Sequence, residues 1–338
     1  ETVTQMDFGF DASFLNNRLT GTFDWYRRNT KDMLVAGATL PATLGASVPK
    51  SNSADMKTIG WELSLGWNDR LENGFSYWVK GVLSDYQATI TKYAGNDAGF
   101  YSQSDDDGKY YVGQKIGEIW GYHSNGLFQS DDEAATIDQS ELYAGKWGAG
   151  DVKYEDLDND GKITKGEETI YNPGDKSIIG NKTPRYQFGI TVGFDYKNFD
   201  FEMFWQGTGK RDYMLSGAQF WGFTSQWDVP YTPALDYWTE TNTDAYFPRP
   251  GWQNGGNRVT SDRYLQSAAY GRLKNLTVGY TIPKNLTTKW GISRLRLYVT
   301  GENLLTITPL NDAFDPETLG GMTYPINRKV AIGLNLTL

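Results

Sequence analysis

Residues 156–167 read DLDNDGKITKGE. Carboxylates stand at the first, third and fifth positions, a glycine at the sixth and an acid at the twelfth. That is the ligand spacing of a calcium-binding loop. Asp156, Asp158 and Asp160 would supply side-chain oxygens, and Gly161 permits the sharp turn. Lys162 would offer its backbone carbonyl, Thr164 would act directly or through water, and Glu167 would close the site with both oxygens. Asp151–Glu155 looks extended, so this is a loop of EF type without the helix of a full EF-hand. Calcium here would be structural. It would cancel the repulsion among the acids and stiffen an exposed segment, and a chelator would loosen it. The bland alternative is a solvated acidic turn.

Aromatic residues in the long polar stretches are the second candidates. Trp120, Tyr122, Trp221, Trp227, Trp238 and Trp252 carry flat faces that suit sugar rings, although the same rings serve loop packing. Catalysis finds little support. His123 is the single histidine, no nucleophile–base pair stands out, and the acids fall into metal-loop spacing. The glycine-rich pieces Gly145–Gly150 and Gly251–Asn257 do not lead a strand into a helix, which argues against phosphate binding. Cysteine is absent, excluding thiolate chemistry and disulfides, and a net charge of -9 argues against a nucleic-acid partner.

The elements that must position these residues follow period two. Tyr186, Phe188, Ile190, Val192, Phe194 and Tyr196 alternate with Gln187, Gly189, Thr191, Gly193 and Asp195. The oily face is aliphatic in the middle and aromatic at both ends. At about 3.3 Å per residue and a tilt of about 40°, such a strand covers about 25 Å of height, the lipid-facing band of an outer-membrane barrel. Lys197–Asn198 turns the chain into Phe199, Phe201, Met203 and Trp205. Further oily faces are Met6–Phe10, Leu19–Trp25, Trp61–Trp67, Phe75–Leu83, Leu276–Ile282, Leu295–Val299 and Val330–Leu338. About nine strands result, joined alternately by short turns and by long loops at about 29–55, 93–183, 207–267 and 304–324. Lys284–Ile292 has room for one helical turn. Asp195, Asp200, Glu202, Arg294 and Arg296 fall on the polar faces, where they would line the lumen. No run approaches the ~18 apolar residues of a membrane helix, and mean hydropathy is negative, as alternation dictates.

NNRLTGTFDWYRRNTKDML, IGWELSLGW, IGEIWGYHSNGLFQS, GDVKYEDLDNDGKI, IIGNKTPRYQFGITVGFDYKNFDFEMFWQG, RLKNLTVGYTIPKNL, RLRLYVTGENL and YPINRKVAIGLNLTL resemble, in order along the whole chain, the C-terminal barrel half of SusC/RagA-type TonB-dependent outer-membrane transporters. The resemblance implies an all-β fold, a membrane-spanning antiparallel β-barrel portion in a large plugged barrel. It also implies a SusD-like surface lipoprotein as partner, energy from TonB, and oligosaccharide or peptide cargo. The plug and the N-terminal strands have no counterpart in residues 1–338. The start, ETVTQMDFGF, is not a signal peptide, and the chain is expected to be part of a longer protein. In shorter versions of the family the closing acid lies just before the IIGN segment, a place that belongs here to Asp175. Glu167 and Asp175 therefore stand as competing ligands. Two other readings remain open: a siderophore- or cobalamin-type receptor, and a soluble calcium-dependent carbohydrate-binding β-sandwich.

Overall fold

The computed structural model describes all residues except 37–42, 44, 46–48, 102–109, 144, 223, 226, 252–254 and 320–323. Its strands are β1 (Thr2–Phe14), β2 (Leu19–Ala36), β3 (Lys50–Arg70), β4 (Ser76–Tyr93), β5 (Glu118–Tyr122), β6 (Ser124–Leu127), β7 (Val152–Tyr154), β8 (Lys176–Asn181), β9 (Arg185–Tyr196), β10 (Phe199–Lys210), β11 (Asp212–Met214), β12 (Leu265–Ser267), β13 (Tyr270–Thr281), β14 (Arg294–Ile307) and β15 (Lys329–Thr337). The short helices are α1 (Asp131–Ala134), α2 (Ala218–Trp221) and α3 (Lys284–Thr287), the last falling in the expected turn. No described helix is long and apolar enough to cross a membrane.

Nine of the strands form one antiparallel sheet in the order β1-β2-β3-β4-β9-β10-β13-β14-β15. The registers align the oily faces into rows. Phe10 faces Phe23, Phe23 faces Leu63, Leu63 faces Leu83 and Leu83 faces Phe188. Tyr77, Phe194, Phe201, Val278, Val299 and Ile332 make a second continuous row. Near the short turns Phe75 stacks on Phe194 and Phe194 on Phe201, with ring centroids 5.4 and 5.1 Å apart, the start of an aromatic girdle. The apolar face is bare: Phe8, Ile332 and Leu334 are more than three-fifths exposed. No second sheet covers it among the described residues, as a soluble sandwich would require. The opposite face is polar and closely packed. The Trp78 ring lies over Gly193 of the neighbouring strand, where a Cβ would meet Cζ2 at 2.2 Å.

The connection between β2 and β3 differs from expectation. The sequence read as loop from 29 to 55, yet β2 continues to Ala36 and β3 begins at Lys50. The ladder crosses an irregularity between Thr30 and Leu34. There Asp32 takes φ 54°, its N–H donates to the Asp55 carboxylate at 2.8 Å, and Asn52 donates to its carbonyl at 2.7 Å. These side chains supply what the broken ladder leaves unpaired. The apolar residues of this stretch do not alternate as a lipid-facing strand would; Met33, Val35 and Met56 pack instead against Ala54, Ile90 and Tyr93. Likewise β10 runs on to Lys210 and β14 to Ile307.

The larger buried core lies in the long connections, and a smaller cluster of Ala54, Ile90 and Tyr93 sits on β3 and β4 of the wall. Tyr122, Leu127, Tyr143, Val152, Tyr154, Ile163, Leu215, Phe220, Phe247, Tyr264, Leu310 and Leu319 pack into one cluster. Three connections contribute to it: β4 to β9, β10 to β13, and β14 to β15. Together they form a cap over one end of the wall. Three two-stranded sheets, β5-β8, β6-β7 and β11-β12, stiffen it.

Candidate functional site

Asp138, Gly161 and Ile163 seat the acidic loop in the cap. The Asp138 N–H donates to Gly161 O at 3.1 Å, and the Ile163 N–H donates to Asp138 O at 2.7 Å. Ile163 is fully buried in the core. Asp156 then organises the turn: Oδ1 accepts from the Asn159 N–H at 2.6 Å and Oδ2 from the Gly161 N–H at 2.8 Å. Asn159 and Gly161 take φ 61° and 83°, the left-handed region that glycine enters without penalty. Asp158 accepts from the Asp160 N–H at 3.1 Å, and Asp160 from the Lys162 N–H at 2.8 Å.

Residues 165–174 leave this loop as an excursion, and its two ends meet. Asp175 N–H donates to Thr164 O at 3.1 Å, and Thr164 N–H donates back to Asp175 Oδ2 at 2.7 Å. The Leu157 N–H donates to Asp175 Oδ1 at 2.7 Å. The Asp175 carboxylate is thereby fully buried over the loop. Asp156, Asp158 and Asp175 each offer an oxygen within 4.8 Å of the others. Glu167 is outside this group; its N–H pairs with Asn172 O at 3.0 Å inside the excursion. Burial, reinforced by the charges of Asp158 and Asp156, pushes the Asp175 carboxyl above the usual carboxylate range despite its two N–H donors. Three converging carboxylates, one buried, one partly buried and one exposed, with no cation partner among the described residues, are a donor set suited to a hard divalent cation.

The aromatic candidates separate. Trp120 lies on β5, stacked on Tyr101 at 4.2 Å with planes 8° apart, and lines an open cleft. Tyr122 is 2 % exposed, and burial holds its phenol well above its ordinary range, so it is a core residue. Trp221 and Trp238 pack partly buried against the same core. Trp227 is 82 % exposed. Trp252 lies outside the described residues.

Sequence reasoning missed two constellations. His123 stands between Ser177 and Asp262, with Nε2 2.7 Å from the serine Oγ and Nδ1 2.7 Å from the aspartate Oδ2; Asp262 Oδ1 also accepts from the Ser124 N–H at 2.9 Å. The order is that of a hydrolase relay. The three residues come from adjacent extended segments, with Tyr122 pairing Lys176 on one side and Ser261 on the other. The line therefore clasps those segments together. The second is a buried knot. Asp151 is 0 % exposed and takes both arms of Arg249, at 3.0 and 2.6 Å, and the Asn257 amide at 2.9 Å. Asn257 accepts from the Tyr143 hydroxyl and the Val152 N–H. The partners are about 100 residues apart, so no local pattern announces them.

On the polar face of the wall, Asp195, Asp200, Glu202, Arg294 and Arg296 line one recess of about 550 Å³, as their alternation requires. Arg296 grips Asp200 with two nitrogens. The pair bridges β10 and β14 over Gly279 of the intervening β13, so strands on either side of it carry compensating charges across a lumenal surface.

The model of the family described as TonB dependent receptor-like, beta-barrel, matches residues 1–304. TonB-dependent receptor P3 of Formosa agariphila is 30 % identical across 99 % of this chain and 34 % of its own length. TonB-dependent receptor SusC of Bacteroides thetaiotaomicron is 25 % identical across 99 % of the chain and 32 % of its length. The chain spans about a third of the curated relatives it matches. Its fold matches the structure of the RagAB peptide transporter with a TM-score of 0.73 at 22 % identity, over 99 % of this chain and 35 % of that one. Strands greasy on one face and polar on the other, capped at one end, agree with those likenesses: the chain belongs to the TonB-dependent receptor β-barrel family of the outer membrane.

Proposed function

We propose that the whole protein imports oligosaccharides across the outer membrane, energised through TonB, with a SusD-like surface lipoprotein seated on the cap. The observation that carries this reading is the division of labour in the chain. A nine-stranded wall turns an oily face outward and a charged face inward, and a cored cap crowns the end where the long connections gather. Peptides are the competing cargo, since the RagAB structures are described as those of a peptide transporter. The Ser177–His123–Asp262 line acts as a clasp in this reading, and the protein is a transporter and not an enzyme.

Calcium belongs to the same proposal. Asp156, Asp158 and Asp175 hold it, with Asp160 and the Lys162 carbonyl completing the shell, and Asp175 takes the closing role that spacing alone assigned to Glu167. Support comes from an all-oxygen donor set and from the burial of a carboxylate between two others. The ion is structural. It fixes the turn that leads directly into β8.

Purification of the full-length protein from native membranes in mild detergent, followed by mass spectrometry of the intact complex, tests the import reading. The expected result is the barrel chain with a lipoprotein and a retained glycan. Recovery with an iron chelate or a cobalamin and no lipoprotein would place it instead with the siderophore-type receptors. Solute uptake by cells should stop when the proton-motive force is collapsed.

A further inference from the structure

Where the cap meets the wall, a cleft of about 870 Å³ opens between the polar face of β4 and the β5-β8 sheet. The volume falls within the range of small-molecule sites. Tyr86, Tyr110, Trp120 and Tyr213 wall it, from β4, the segment before β5, β5 itself and β11. Tyr86 also borders the lumenal recess that holds Asp24 and Glu62, so the cleft opens onto the path down the wall. Four rings from four segments offer flat faces to the apolar sides of sugars.

The charged groups in this cleft are unequal. Glu118 is engaged on both oxygens, by the Tyr111 hydroxyl and by the Lys115 N–H at 3.1 Å. Arg211 is half-buried, and its guanidinium makes one hydrogen bond among the described residues, Nε to Lys182 O at 3.1 Å. No described carboxylate pairs with its guanidinium; the adjacent Asp212 accepts instead from the Asn181 N–H at 2.9 Å. A partly buried guanidinium is ordinarily paired, and this one has no acid among the described residues. A guanidinium with its outer fork free is suited to two oxygens of an oxyanion.

We propose that this cleft is a subsite for an oligosaccharide bearing an acidic group, a uronate carboxylate or a sulfate ester, which Arg211 receives while the rings carry the sugar faces. This deepens the import reading and rests on it. The pocket is formed in advance, because the Tyr101 stack holds Trp120 and the Lys182 carbonyl orients Arg211.

Calorimetric titration of the full-length protein in detergent tests it with four probes: a uronic-acid tetrasaccharide, a sulfated tetrasaccharide, a neutral tetrasaccharide and an acidic tetrapeptide. At least one acidic glycan should bind about 10- to 100-fold tighter than the neutral one, the worth of a charge-assisted hydrogen bond. Whichever acidic arm wins identifies the oxyanion. Arg211→Gln should erase the preference, Arg211→Lys should keep part of it, and Tyr86→Ala should weaken every glycan. Each variant is first checked for the heat-dependent gel migration of a folded barrel, and the Lys variant serves if the Gln variant fails it. Equal binding of neutral and acidic glycans, acidic binding untouched by Arg211→Gln, or binding of the peptide alone overturns the proposal. If only neutral glycans bind while energised uptake persists, the acidic subsite alone is lost. If no probe binds and cells show no energised uptake, the import reading goes with it.

Discussion

At the scale of single residues, the acidic loop sets two acids apart: Asp175 meets Asp156 and Asp158, and Glu167 lies outside that group. Asp175→Asn should weaken calcium or terbium binding by more than 10-fold, whereas Glu167→Gln should leave it within about 2-fold, one carboxylate ligand being worth a charged hydrogen bond or more. Terbium luminescence on the full-length protein reads both. A chelator should speed proteolysis between residues 156 and 176 and nowhere in the wall. The Asp151–Arg249 knot makes a sharper energetic statement. Arg249→Ala removes the charged partner of a buried carboxylate that keeps the Asn257 amide and the Gly148 N–H, and is expected to lower the stability of the cap by about 2 kcal/mol, the range for a hydrogen bond to a charged group. Hydrogen exchange of the cap, relative to the wall strands, measures it. The acids at 156, 158 and 160 stood out because they are neighbours in sequence, and two of them meet Asp175, which only the family resemblance points to. Asp262 and Arg249 were not legible, because their partners arrive through folding. The rings were ambiguous for a physical reason: the surface that stacks on a sugar also packs a core, and Tyr122 proved to be core.

At the scale of elements, the wall was legible and its extension beyond the alternating stretches was not. Alternation is forced only where one face meets lipid, so the ladder of β2 and β3 continues unannounced where Met33, Val35 and Met56 pack instead against Ala54, Ile90 and Tyr93. The same asymmetry fixes what substitutions do. Val299→Arg on the outward face of β14 should cost about 2–4 kcal/mol if it lies near the bilayer midplane. Thr300→Arg, one residue along and facing Thr277 across the lumenal side, should cost clearly less. Denaturant titration of the full-length barrel in detergent compares them. In the cap, α1 begins with a capping arrangement. The Glu133 N–H donates to Ser130 Oγ at 3.1 Å, and Glu133 accepts from the Gln129 N–H at 2.7 Å. That N–H, and then Lys153, hold the Glu133 carboxyl below its usual range. A depressed acid stabilises the fold above its unfolded value and loses that contribution as pH falls through the lower, folded value. Protection of residues 129–136 should therefore drop below the ordinary glutamate range, and Glu133→Gln should remove the pH dependence. Hydrogen exchange corrected for intrinsic rates provides the readout.

At the scale of the whole molecule, β1 and β15 each pair on one side only among the described residues. An unpaired strand edge is not tolerated in hydrocarbon. Residues 1–338 expressed alone should accordingly aggregate in water and fail to give the gel shift of a closed barrel, whereas the full-length protein should give it; sedimentation and gel migration decide. Architecture at this scale was readable from alternating long and short connections, and the count of nine strands agreed. What the sequence did not disclose is that the long connections share a hydrophobic interior, since their apolar residues follow no single period. That interior has an evolutionary consequence. A crown packed about its own apolar centre, and not about the lipid-facing side chains, leaves the two surfaces free to change independently under selection.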